Sequence, residues 1–348
     1  MRQDEILKSA LQALQQLELT AEPDAKPRPL ARNASPRTRL RIAKGHAHLD
    51  FDAEVHRVVT PQTVGPILSQ LRTHGVAAKR EPLLVATYLT TPVAETLRKH
   101  RQSFIDTAGN AYLEGPGLLV WVTGRKPTKT DRPPKTDRAY TNAGLRLLFA
   151  LICDPVLAGA PQRKIAEAAD VALGTVPPVL ADMEEHGRLA VAGRKRRLIE
   201  TKRLLDDWAI GYARTLRPKT LIRRFAAPSI QGWENWRLAE IEGRWGGEPA
   251  ANRLVGYLTP GTLTIYAAKT PAKLIVEQRL QAVDSDDPKG QVEIRAPFWG
   301  RALQQTEIRE DVVATALVYA DLLATGDARC IETAALIYEH HLARRFPK

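Results

Sequence analysis

The chain has 348 residues, of which 44% are hydrophobic and two are cysteine, and its formal net charge is +12. Such a length calls for two or three domains rather than one core. The widely separated Cys153 and Cys330 exclude a disulfide framework or a zinc finger and fit a reducing, cytoplasmic setting. Excess cationic charge favours a polyanionic partner; no apolar run reaches bilayer-spanning length and the N-terminus lacks a signal-peptide pattern, so no membrane partner is expected.

The first element is a helix, because Ile6, Leu7, Ala10, Leu11, Leu14 and Leu17 recur at helical spacing. Glu22 to Pro36 holds four prolines and reads as a loop. RLRIAKG and AHLDFDAEV then predict a hairpin turning at Lys44–Gly45. A helix follows over Pro61–His74, a buried strand in PLLVATYL, and a helix from Thr91 or Pro92 through His100. SFIDTAGNAYLE predicts strand, turn and strand, and LLVWVTG one strand more. This order makes residues 1–124 an α/β domain.

Residues 125–140 read as a basic linker, RKPTKTDRPPKTDRAY, with six Lys/Arg, two Asp and three Pro and no apolar periodicity. Residues 141–203 then carry the pattern of a winged helix-turn-helix. Thr141 caps a helix with Leu145, Leu148, Phe149 and Ile152 as its stripe, and Pro161 falls in the first turn of a second helix, QRKIAEAA. Ile165, Ala166 and Ala169 face the core, and Asp170 takes the turn position, which needs a residue tolerant of left-handed backbone. Val171, Val176, Val179, Leu180 and Met183 supply the packing face of a recognition helix. RLAVAGRKRRLIE is the wing, and residues 188–203 hold seven Lys/Arg against one Glu.

The residues expected to meet DNA are therefore Arg163, Lys164, Gly174, Thr175, Pro177, Pro178, Arg194, Lys195, Arg196, Arg197 and Lys202. The cations would hold phosphates or the adjacent minor groove. Pro177 and Pro178 stand where polar base-reading side chains are usual, so the helix is expected to start at Thr175, with the prolines limited to apolar features such as thymine methyls.

Residues 204–348 read as a third, mixed α+β domain. It holds a helix from Thr201, a Trp-rich stretch, strands in LTIYAA and QVEIRAPF, and two terminal helices broken near Gly326–Asp327. The four tryptophans from Trp233 to Trp299 are read as core. Asp321 is a candidate catalytic carboxylate; Asp327 is read as helix termination. RWGGEPAANRL opens a helix at a Gly-Gly turn but lacks the Lys and Ser/Thr of a phosphate loop, so no cofactor is expected.

Asp50, Asp52 and Glu54 alternate on one strand, as in a metal-ion nuclease, and the N-terminal order of elements is loosely restriction-endonuclease-like. That chemistry needs an acid and a lysine on the next core strand, where PLLVATYL offers Ala86 and Tyr88. The domain is accordingly read as degenerate, with no catalytic or metal residues. A nuclease targeted by the winged helix is the alternative, and an RNA-binding interaction protein a third.

FIDTAGNAYLE with LLVWVTGRKP, then AGLRLLFALICDP and KIAEAADVALGTV, then RWGGEPAANRLVGYLTPGTLTIY and YADLLATGDARCIETAALIYE, resemble AbiEi-family antitoxins of type IV toxin–antitoxin systems, over about residues 100–342. The resemblance implies a non-enzymatic repressor that binds double-stranded operator DNA in its own promoter. It also implies functional pairing with a nucleotidyltransferase-type toxin without a stable complex. The family's usual order puts the winged helix first, whereas here an α/β domain precedes it. Two-fold operators would call for a homodimer on DNA, although no heptad marks a dimer helix.

Overall fold

The computed structural model describes residues 3–23, 38–75, 80–126, 138–193, 195–285, 287–303 and 309–347. The chain forms two compact units, Met1–Lys135 and Thr136–Lys348. Most of the expected linker, residues 127–137, lies outside the described residues.

The first unit carries helix α1 (Gln3–Gln15), strands β1 (Thr20–Pro23), β2 (Thr38–Lys44) and β3 (Ala47–His56), helix α2 (Pro61–Gly75), strand β4 (Glu81–Ala86), helix α3 (Thr91–Lys99), and strands β5 (Phe104–Asp106), β6 (Ala111–Gly115) and β7 (Leu118–Val122). The strands form one seven-stranded sheet in chain order. β3, β4 and β5 are parallel, as the crossovers through α2 and α3 require, and the flanking pairs are antiparallel hairpins. Ile6, Ala10 and Leu14 of α1 pack on Leu40, Phe51, Leu83 and Val85. β4 is also packed by α2, so Leu83 to Ala86 are all buried, which explains their unbroken apolar run. The strand β1 was not expected, since its TAEP sequence has no β alternation.

The Asp106–Asn110 turn is the polar anchor of this unit. The Asp106 carboxylate accepts from the backbone N–H of Leu89, Ala108 and Asn110 and from the Asn110 amide, at 2.7–2.9 Å. Burial pushes its pKa up, and these donors partly offset the effect.

The second unit begins with helices α4 (Asn142–Cys153), α5 (Gln162–Ala169) and α6 (Val176–Glu185), followed by a two-stranded antiparallel sheet of β8 (Leu189–Ala192) and β9 (Lys195–Leu198). Then come α7 (Lys202–Gly211), α8 (Arg217–Thr220), β10 (Leu221–Ala226), β11 (Arg244–Gly246), α9 (Gly247–Val255), β12 (Leu263–Tyr266), α10 (Ala272–Glu277), β13 (Gln281–Val283), β14 (Val292–Arg295), α11 (Thr315–Leu323) and α12 (Ala328–Ile337). The second sheet runs β11-β12-β14-β10-β13, with only β12 and β14 parallel.

The boundary expected between residues 203 and 204 falls inside α7, and one core spans it. Trp208 of α7 stacks on Phe149 of α4 at 5.2 Å and on Tyr212 at 5.3 Å, and its indole N–H donates to the Leu145 carbonyl. Phe298 lies 4.8 Å from Phe149. The Gly300 N–H donates to the Ala168 carbonyl at 2.9 Å, and a Cβ at Gly300 would stand 1.9 Å from the Glu167 carbonyl oxygen. Only glycine permits that approach.

A buried ionic cluster locks the remaining helices. Asp321 accepts from the Tyr212 and Tyr266 hydroxyls and from Arg217 Nε, at 2.7–3.1 Å. Burial first, and then the Asp321 charge, hold both tyrosines far above their usual pKa, so they remain donors. Asp321, read from sequence as a catalytic candidate, is thus a structural acceptor at the centre of the core. Asp327 caps α12 through the N–H groups of Arg329 and Cys330.

Candidate nucleic-acid interface

The three helices and the hairpin are held together by residues whose roles follow from their chemistry. Thr141 accepts from the Gly144 N–H and caps α4. At the α5 end Asp170 adopts the left-handed conformation (φ 52°, ψ 53°), and Arg146 of α4 donates to both its carbonyl and its carboxylate. A left-handed turn is costly for most residues and least so for Gly, Asn and Asp; the Arg146 clamp fixes it here. Ile165, Ala166, Ala168 and Ala169 are buried beneath α5, and Val176, Val179, Leu180 and Met183 beneath α6. Pro161 sits at the cap of α5, one position before the expected first turn.

Thr175 occupies the N-cap position of α6, and Pro177 and Pro178 fall in its first turn, where missing N–H donors cost nothing. Thr175 is half-buried and makes no side-chain cap bond. Gly174 is exposed with open space where a Cβ would stand. Pro177 is exposed and Pro178 half-buried. An open groove of about 560 Å³ runs between Arg163, Ala166 and Glu167 on α5 and residues 170–173. Arg163 and Lys164 are exposed, and Arg163 pairs with Glu167 at 3.3 Å, an exposed pair of small energetic weight.

The hairpin separates its cations by strand alternation. Lys195 and Arg197 point outward from β9, opposite Ala192 and Ala190. Among the described residues neither side chain has an ion-pair partner. Arg196 and Leu198 point the other way: Leu198 is buried, and the half-buried Arg196 donates to the Ala160 carbonyl at 2.8 Å. Gly193 (φ 61°) supplies left-handed backbone at the turn; Arg194 lies outside the described residues.

Lys202 requires correction as a DNA contact. Its side chain is 5% exposed, and its ammonium donates to both Asp206 oxygens at 2.6–2.7 Å and to the Tyr319 hydroxyl at 2.7 Å. It also lies over the Tyr338 ring. A buried ammonium with three acceptors is structural, and no phosphate can reach it. Its signal was present in the sequence: Asp206 follows at i+4 behind the Thr201 cap. Sequence reasoning also missed Leu173, which enters α6 on the short turn Leu173–Thr175 and is 51% exposed.

The carboxylates of β3 are already occupied. Arg41 stands directly across from Asp50 and binds it at 2.8 and 3.1 Å, and Arg39 stands across from Asp52. The Arg41 hydrogen bond holds Asp50 below the usual carboxylate range. Glu54 is buried and bound to His56 at 3.1 Å. On the other side β4 places Pro82 beside Asp52 and Leu84 beside Glu54. Among the described residues no group of three or more His, Cys, Asp or Glu is placed to hold a metal ion, and no helix is long and apolar enough to cross a membrane.

Fold and side chains define a mixed α+β protein with an exposed basic hairpin after a three-helix segment. Residues 197–343 match the AbiEi_2 family model, described as a transcriptional regulator, the AbiEi antitoxin of a type IV toxin–antitoxin system. The match begins within β9 and extends past α12, bearing out the resemblance there. No curated protein and no solved structure gives a significant match to the chain.

Proposed function

We propose that residues 141–203 form a winged helix-turn-helix that binds duplex DNA, and that the chain is a sequence-specific transcriptional repressor acting as the autoregulating antitoxin of a type IV toxin–antitoxin operon. The observation that carries the reading is the outward pair Lys195 and Arg197, set opposite alanines on a hairpin directly after α6. Arg163 and Lys164 at the start of α5 extend the cationic surface. The acidic end of α6, Glu184–Glu185, repels phosphates and so favours approach by the N-terminal end of that helix. The family match supports the regulatory role, which goes with a cytoplasmic location. Phosphates would be held by Lys195, Arg197, Arg163 and Lys164, with Arg194 and Arg196 adding charge at the wing; Gly174, Thr175, Pro177 and Pro178 would face the bases. Two-fold operator repeats would bring two copies of the chain together on DNA.

The test is titration of the full chain against the duplex upstream of its own coding sequence, an unrelated duplex and a single-stranded RNA, with Mg²⁺ present. Tight binding to the upstream duplex without cleavage is expected. Preference for RNA, or cleavage lost in Asp50→Ala, would overturn the reading in favour of the RNA-binding or nuclease alternatives.

A further inference from the structure

The DNA-binding reading leaves open how a recognition helix with so few polar groups could discriminate sequence. The outward surface at the start of α6 consists of Leu173, Gly174 and Pro177, all exposed, with Pro178 half-buried beside them. The only hydroxyl among them and their neighbours through Pro178 is that of the half-buried Thr175. Val176, Val179, Leu180 and Met183 are turned inward, whereas Leu173, at the edge of the groove beside α5, is a large apolar side chain 51% exposed. Burial of such a side chain is favourable wherever a partner offers apolar surface. Arg163 and Lys164 on α5 and Lys195 and Arg197 on β9 give the partner's charge, which is negative. A DNA duplex offers both: a phosphate rim and, in the major groove, one apolar group, the C5-methyl of thymine. The open space around Gly174 lets the backbone approach closely.

We infer that Leu173 and Pro177 read thymine C5-methyl groups in the major groove, so that sequence discrimination rests on methyl contacts rather than on hydrogen bonds to base edges. The inference rests on the DNA-binding reading above and names the chemistry of its specificity. Uracil keeps every hydrogen-bonding group of thymine and lacks only this methyl, which makes the exchange a clean probe.

The experiment selects duplexes from a random-sequence pool with the full-length chain, then resynthesises a selected duplex with single thymine-to-uracil replacements. Loss of affinity of about four-fold is expected for one read methyl and about fifteen-fold for two, confined to a few positions. At the positions read by Leu173, Leu173→Ala should bind the thymine and uracil forms within about two-fold of each other while the position facing Pro177 keeps its discrimination, whereas Lys195→Ala should weaken both forms by the same factor. Equal affinity of wild type for all thymine and uracil forms overturns the inference and leaves the DNA-binding reading standing. A Leu173→Ala protein that still discriminates thymine from uracil as wild type does overturns the assignment to Leu173. Retention of no duplex by the full chain overturns the DNA-binding reading and this inference with it.

Discussion

The hairpins β2–β3 and β8–β9 both carry charge at alternate positions, yet they use it in opposite ways. In the first, Asp50 and Asp52 stand directly across from Arg41 and Arg39, and each charge is met within the sheet. In the second, Lys195 and Arg197 stand across from Ala192 and Ala190, which cannot neutralise them. Cross-strand pairing is the unit of sheet stabilisation, so charge on the first hairpin contributes to the fold while charge on the second is not met by its cross-strand partners, as the proposed DNA contact requires. Lys202 completes the contrast, being close in sequence to the second hairpin but bound inside the core by Asp206 and Tyr319. Charge density along the chain therefore says less about binding than what lies opposite each charge.

The contrast can be broken or sharpened by substitution. The largest effect is expected from Asp206→Ala, which strands the buried Lys202 ammonium. Urea unfolding followed on the second unit should show a loss of roughly 3–5 kcal/mol; a loss below about 1 kcal/mol would mean that Lys202 reaches water and that its exclusion from the interface is unfounded.

Glu293→Gln comes next. Burial tends to raise the Glu293 pKa, but Arg295, Arg217 and Arg224 outweigh burial and hold it below the usual carboxylate range. A folded-state pKa depressed in this way gives stability that is present above the unfolded-state value and lost as pH falls through the folded value. The variant should be less stable by about 2 kcal/mol near neutral pH, with the difference shrinking below about pH 4. A difference independent of pH would contradict the assignment.

Asp50→Ala with Asp52→Ala should do least. These pairs are partly exposed, so stability should fall by no more than about 1 kcal/mol, and duplex affinity, measured by fluorescence anisotropy, should not weaken. Weakened DNA binding would place the first hairpin in the interface as well.

Much of the local structure could be read from residues alone, because local chemistry decides it. The cap at Thr141, the left-handed turn at Asp170 and the late start of α6 after Thr175 each follow from one residue's backbone preference, whereas Asp327, read as ending a helix, starts α12 as its N-cap. The β2–β3 turn at Gly45 and the buried run in β4 follow from pattern. Three strands of the second sheet stayed hidden. β11 and β13 are three residues each, and β10 carries Arg223 and Arg224, which mask its alternation. The continuity of the central and C-terminal segments depends on Trp208, Phe149, Phe298 and Gly300, which are far apart in sequence. Lys202 and Leu173 were misplaced or missed because exposure is a property of the packed molecule: a lysine in a basic run was buried, and a leucine in an apolar run was not.

The central claim is that Lys195 and Arg197 hold phosphates. The most direct measurement is the salt dependence of duplex affinity for wild type and for Lys195→Ala with Arg197→Ala. Removing two phosphate contacts should lower the slope of log affinity against log salt concentration by about 1.8. A slope identical to wild type would contradict the claim.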